Sequence, residues 1–367
     1  MKRELVSSYS ENLGRYMDTI VYGEGGYPVI VFPTQDSPCT NWEDFGLIDT
    51  IDDYVGSGML QLFCVSNVDK DSWSANDRDK GERADLIEAY YRYVTEELTP
   101  FVHEYSGNVH RPLLAGCSMG ALHSTIFVLR RPDLFQGCIA LSGVYDAKYF
   151  FEGWMNETLY ASSPVDFLPN MSADHPYIEQ YNQRQIVLCV GRGAWEDEGV
   201  RTQHILDDAF RRLGIEAWCD FWGTDVSHDW PWWKKQIRYF LPIVLQDMKK
   251  TLAIEEGTYE GSTPEPAPTE PAAEPEPAAE PEPAAEPEPA KKPAHVTATA
   301  PKLKPKKVVA AAEPKPEPAE KAEPAEKAAH VSATAPKLKP KKVTAAKKAP
   351  AKKVTAAKKA PAKKSSK

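Results

Sequence analysis

The sequence predicts a mostly parallel α/β sheet with helices on both faces, followed by a disordered C-terminal tail. Three observations carry that expectation. Six apolar runs of strand length recur through the first 222 residues, and several are continuous instead of alternating, as in strands buried on both faces. Stretches of helical length lie between them, which implies parallel pairing through right-handed crossovers. Aromatic residues end at Tyr259 and tryptophans at Trp233, so the material for a packed core lies in the first two thirds of the 367 residues.

In chain order, residues 1–25 are expected to add antiparallel strands at one edge. YPVIVFP (27–33) and LQLFCVS (60–66) are the first central strands, and a helix follows over 82–104. RPLLAG (111–116) is a buried strand that runs into a helix over 120–131. GCIALSG (137–143) and QIVLCVG (185–191) come next, then a helix over 200–213, the strand EAWCDFW (216–222) and a last helix over 231–248. Together these make one domain over 1–252. Residues 253–290 read as an acidic Pro/Glu/Ala-rich linker, extended and polyproline-like. Residues 291–367 read as a Lys/Ala/Pro-rich repeat tail, in which HVTATAPKLKPKKV (295–308) returns as HVSATAPKLKPKKV (330–343). Proline there is too frequent for long helices, and apolar surface too scarce to offset chain entropy.

The formal charge of −9 hides three blocks. Residues 1–254 carry 22 Lys+Arg against 37 Asp+Glu, a net of −15; residues 255–290 hold 11 Glu and no base; residues 291–367 hold 22 Lys and 5 Glu, a net of +17. Such a polycation predicts salt-sensitive, non-specific contact with nucleic acid or another polyanion, with the acidic domain as an intramolecular competitor. It has no aromatic side chain to stack on bases, so sequence reading is not expected.

The start MKRELVSSYSENLG lacks the apolar stretch of a secretory signal, and no run approaches the ~18 apolar residues of a membrane span. The six cysteines form no CxxC pair, and Cys64, Cys138 and Cys189 lie in strand-like runs. Buried free thiols in a cytoplasmic protein are therefore expected. Neither a phosphate-binding loop nor HExxH-type metal spacing occurs, so the expectation is chemistry without cofactor or metal.

The chemistry is carried by Gly116-Cys117-Ser118-Met119-Gly120, between a buried strand and a helix. A serine on a strained strand-to-helix turn, with glycines two positions either side for close backbone approach, has the form of a nucleophile elbow. Its plain alternative is a serine that merely ends a strand. If Ser118 is the nucleophile, the Met119 N–H faces the oxyanion, and a histidine must take the hydroxyl proton. His228 is the candidate, because GTDVSHDWPWW (223–233) follows the last strand and offers Trp230, Trp232 and Trp233 to wall the ring. The alternative there is a surface histidine beside a tryptophan cluster that is simply core. The third member should follow a strand between serine and histidine. RGAWEDEG after QIVLCVG offers Glu196, which we prefer, with Asp197 as its rival. VFPTQDSPCTNW (31–42) should supply the second oxyanion donor, the Gln35 N–H, with Thr34 next.

These residues resemble the α/β-hydrolase superfamily, and within it the esterase family of S-formylglutathione hydrolases, feruloyl and acetylxylan esterases and mycolyltransferases. The resemblance spans about residues 1–248 and rests on GCSMGA, GRGAWED and HDWPWW. It implies an α/β-hydrolase fold, Ser118 as nucleophile, His228 as base and then acid, and Glu196 or Asp197 as third member. Two departures stand out: Phe-Pro-Thr-Gln replaces a His-Gly oxyanion loop, and Ala121 replaces a common glycine. Residues 144–182 fall where such enzymes insert pocket elements; Tyr149, Phe150, Phe151, Trp154 and Met155 either line an acyl pocket or, the commoner outcome, form core. The expected activity is cleavage of carboxylic esters or thioesters through an acyl-enzyme. The rival readings are an acyltransferase on the same triad, and a non-catalytic scaffold whose basic tail does the binding.

Overall fold

The structure, a computed structural model, describes residues 1–256 and 258. The linker beyond that point and the whole Lys-rich tail, with its expected disorder and polyanion contact, lie outside the described residues. β1 (Arg3–Ser10) and β2 (Arg15–Tyr22) form an antiparallel hairpin. β3 (Tyr27–Phe32), β4 (Leu60–Val65), β5 (Leu113–Cys117), β6 (Gly137–Leu141), β7 (Gln185–Val190) and β8 (Trp218–Phe221) complete an eight-stranded sheet in the order β1-β2-β4-β3-β5-β6-β7-β8. β2 meets β4 antiparallel, and every pairing from β4 to β8 is parallel. This is the α/β-hydrolase arrangement the sequence predicts, hairpin edge included.

The continuous apolar runs have the expected cause. Ile30, Phe32, Leu114, Cys138 and Leu188 point to one layer, which α1 (Lys80–Arg92), α3 (Met119–Arg130) and α4 (Asp197–Leu213) cover with Ile87, Tyr90, Phe127, Leu206 and Phe210. Val29, Val31, Leu113, Ile139 and Val187 point to the other, under α5 (Trp230–Glu255) and its Ile237, Phe240 and Leu241. Alternate residues of each strand thus enter two separate cores. All six cysteines are free thiols, five of them buried. Among the described residues no helix is long and apolar enough to cross a membrane.

The helix expected over 82–104 is interrupted. A π-helical turn, Tyr93–Leu98, joins α1 to α2 (Thr99–Ser106). Pro100 has no N–H to donate to Glu96 O, and the Thr99 hydroxyl donates to Val94 O at 2.7 Å. Short helices at Asn41–Asp44, Leu47–Thr50 and Asp52–Gly56, and four more between Ala147 and Tyr181, were not foreseen. Four or five residues are too few to display a 3.6-residue period.

Candidate active site

The join of β5 and α3 places Ser118. It takes φ 56° and ψ −119°, which a non-glycine residue holds only where its surroundings impose it. Here the surroundings are backbone. A Cβ on Gly116 would lie 2.3 Å from the Gly120 carbonyl carbon, and one on Gly120 would lie 2.4 Å from Phe32 O, so only glycine fits at either position. The Ser118 N–H donates to Leu141 O at 2.8 Å, and the Ser118 carbonyl accepts from the Ala121 and Leu122 N–H groups at 3.0 and 3.3 Å. The serine is thereby held at the carboxyl ends of the strands, where open parallel sheets bind ligands. Ala121 is fully buried in this turn. Neighbouring Cys117 is also buried, and burial pushes its thiol well above the usual range, so it offers no thiolate.

The loops after β7 and β8 bring up the other two groups. The Gly193 N–H donates to Val226 O at 2.8 Å, and the His228 N–H to Ala194 O at 3.0 Å. A Cβ on Gly191 or Gly193 would lie 2.1 or 2.6 Å from Val226 O, so these glycines let the two loops touch. Across that seam His228 Nε2 lies 2.9 Å from Ser118 Oγ, and His228 Nδ1 lies 3.1 Å from Glu196 Oε2. Those partners place the imidazole proton on Nδ1 and leave the Nε2 lone pair for the serine proton. Glu196 is 1% exposed, and its Oε1 accepts the Ser142 hydroxyl at 2.6 Å. Asp197, the rival carboxylate, begins α4 and faces the cleft instead of the imidazole.

The cleft above Ser118 has a volume of about 460 Å³ and is lined by Gln35, Met119, Tyr149, Phe150, Trp195 and His228, among others. Among the described residues the backbone N–H groups of Met119 and Gln35 donate to no other group, whereas the Thr34 N–H is bound to Asn41 Oδ1 at 2.9 Å. The five aromatic or apolar residues of 149–155 divide. Tyr149 and Phe150 line the cleft, Phe151 is fully buried, and Trp154 and Met155 pack on the core. The tryptophans after His228 divide too: Trp233 meets the imidazole edge-on, centroids 5.0 Å apart, while Trp230 stacks on Phe45 and Trp232 lies under Lys235.

Sequence reasoning missed three features. Ser142 carries no local pattern, since a serine after a strand is commonplace. Trp195, 89% exposed with φ 68°, stands on the cleft wall and was passed over as part of the acid loop. His123 is buried with its Nε2 2.9 Å from Asp69 Oδ1, a pair 54 residues apart that no spacing signals.

The sequence matches the family described as "Putative esterase" over residues 10–280. The chain belongs to this esterase family. It is a carboxylic ester hydrolase of α/β-hydrolase type. A solved ferulic acid esterase is similar at 17% identity with a TM-score of 0.54, covering 67% of this chain and 98% of its own. An S-formylglutathione hydrolase from Agrobacterium tumefaciens is similar at 14% identity with a TM-score of 0.53, covering 67% and 95%. A second one, from Staphylococcus aureus, is similar at 16% identity with a TM-score of 0.50, covering 66% and 96%. At these identities the likeness is one of fold. No curated protein matches the sequence.

Proposed function

We propose that this esterase works through an acyl-enzyme on Ser118, with His228 as base and Glu196 as the orienting acid. The single observation that supports the reading most is the unbroken line from Ser118 Oγ to His228 to Glu196, at 2.9 and 3.1 Å, opening on the cleft. Ser118 Oγ attacks the ester carbonyl carbon as its proton passes to His228 Nε2. The carbonyl oxygen becomes an oxyanion within reach of the Met119 and Gln35 N–H groups. His228 then returns the proton to the departing alkoxide or thiolate as the acyl–oxygen or acyl–sulfur bond breaks. Water, deprotonated by the same imidazole, then attacks the acyl carbon, the bond to Ser118 Oγ breaks, Oγ takes the proton back from His228, and the acid is released.

Glu196, not Asp197, carries the third role in this reading. Glu196→Gln is expected to lower kcat by about 10³- to 10⁴-fold, as loss of the orienting carboxylate does in related triads. Asp197→Asn should stay within about threefold of wild type on a neutral p-nitrophenyl ester, since a wall carboxylate adds little to an uncharged substrate. Equal losses in the two variants would overturn the assignment.

The lining favours one substrate class. Asp197 and Glu198 stand on the cleft wall with the rings of Tyr149, Phe150 and Trp195, and among the described residues no Lys or Arg lines the cleft. Carboxylates beside exposed aromatic rings attract cations and repel anions. Neutral or cationic esters thus fit better than anionic thioesters such as S-formylglutathione. A choline ester should exceed its neutral 3,3-dimethylbutyl isostere in kcat/KM by about 5- to 30-fold; a preference for S-formylglutathione over both would refute this.

For the tail the proposal is independent of catalysis. Removing 291–367 should leave p-nitrophenyl ester turnover unchanged and abolish salt-sensitive retention on DNA. Retention that survives the deletion would rule the tail out.

A further inference from the structure

We infer that Ser142 is a positioning residue for the reaction: together with Trp233 it fixes the orientation of Glu196, and it acts on the chemistry only through that carboxylate. The inference rests on the reading of Ser118, His228 and Glu196 given above. Ser142 stands at the tip of β6, fully buried, with φ 58°. Its N–H donates to Cys189 O at 2.7 Å and extends the ladder to β7 by one residue. A left-handed backbone is costly for any residue but glycine. What serine offers at this position that glycine would not is a hydroxyl.

The direction of that hydroxyl is forced. An indole N–H only donates, so in the 2.9 Å contact with Trp233 Nε1 the Ser142 oxygen accepts. Its one proton is then free for the 2.6 Å contact with Glu196 Oε1, and an ionised carboxylate only accepts. The hydrogen bonds therefore run from Trp233 to Ser142 to Glu196 Oε1, while His228 Nδ1–H donates to Oε2. Each oxygen of a carboxylate sealed from water has one donor.

Without the Ser142 hydroxyl, Oε1 would be a buried acceptor with no partner. A buried carboxylate short of donors either takes up a proton or turns toward another donor. Both outcomes loosen its grip on Nδ1–H and withdraw stabilisation from the imidazolium that forms as Ser118 attacks. The other titratable groups nearby cannot replace the hydroxyl. Among the described residues no other side chain donates to Glu196, and Asp197 and Glu198 are carboxylates on the cleft wall.

The test is a double-mutant cycle. Ser142→Gly removes the hydroxyl yet accepts φ 58° without strain, so the backbone is preserved. Its kcat on a p-nitrophenyl ester is expected to fall about 10- to 100-fold, the size of one hydrogen bond to a charged group, with KM within about twofold. In a Glu196→Gln background the same substitution should cost less than about threefold, because its route to the chemistry is already cut. A residue that only packs the strand tip would give the full loss in both backgrounds. Should Ser142→Gly melt far below wild type, Trp233→Phe serves in its place: the ring is kept, the N–H is lost, and a loss in kcat of about 3- to 10-fold, again absent in Glu196→Gln, is expected. Wild-type kcat in the folded variant, or additive losses in the cycle, would overturn the inference. Failure of the underlying reading shows differently, as a wild-type chain that a fluorophosphonate does not label.

Discussion

Ser118→Ala should reduce turnover of p-nitrophenyl esters by about 10⁴- to 10⁶-fold while leaving the melting temperature close to wild type. The loss is large because the covalent route disappears: His228 Nε2 then has no hydroxyl at 2.9 Å to deprotonate. What survives is whatever the two amides and the cleft do for direct attack by water, a residue of rate that triad knockouts in other serine hydrolases retain. Stability should hardly move, since the removed oxygen stands at the cleft and the backbone that carries the strain is unchanged. A fluorophosphonate should label the wild-type chain once and the variant not at all. Equal labelling of the two would mean that the nucleophile lies elsewhere and would remove the basis of the proposed mechanism.

Gly120→Ala is the second large effect, and it acts through the fold. The new Cβ would lie 2.4 Å from Phe32 O and 2.8 Å from Pro33 O. Both atoms belong to backbone, so no rotamer change relieves the contact, and β3 or α3 must move. Overpacking in a tight core costs about 1 to 3 kcal/mol and more where backbone is displaced. About 3 kcal/mol in a domain of this size corresponds to a fall of roughly 6 to 12 °C in melting temperature. Phe32 and Pro33 lead directly into Thr34 and Gln35, so the shift also carries the Gln35 N–H away from the cleft. Activity measured well below the melting temperature should therefore fall as well, in kcat more than in KM. A variant with wild-type stability and rate would show that the glycine is not required by close approach.

The two glycines mark what was legible in the chain. Gly116 and Gly120 sit two residues either side of Ser118, and the cause of that spacing is local: strand, turn and helix must pass one another at backbone distance. The strands were legible for a similar reason. A strand buried on both faces must be apolar throughout, and QIVLCV or LQLFCV announces this without reference to any other part of the chain. His228 stood out because a single loop joins the last strand to the Pro- and Trp-rich start of α5.

What the sequence by itself determined is therefore the order of the strands and long helices along the chain, the layered sheet, the turn that holds Ser118 and the loops from which its partners come. The tertiary structure alone decided which of two adjacent carboxylates faces His228. Glu196 and Asp197 differ by one position, and only the lacing of Gly193 to Val226 and of Ala194 to His228 turns Glu196 inward and leaves Asp197 on the cleft wall. It also decided that Ser142, 54 residues before Glu196, supplies the second donor to that carboxylate, and that Tyr149 and Phe150 face the cleft while Phe151 is core. The physical reason is one of range. Patterns along a chain record how each residue meets its own element and solvent, whereas a hydrogen bond between strand tips depends on how distant elements are juxtaposed.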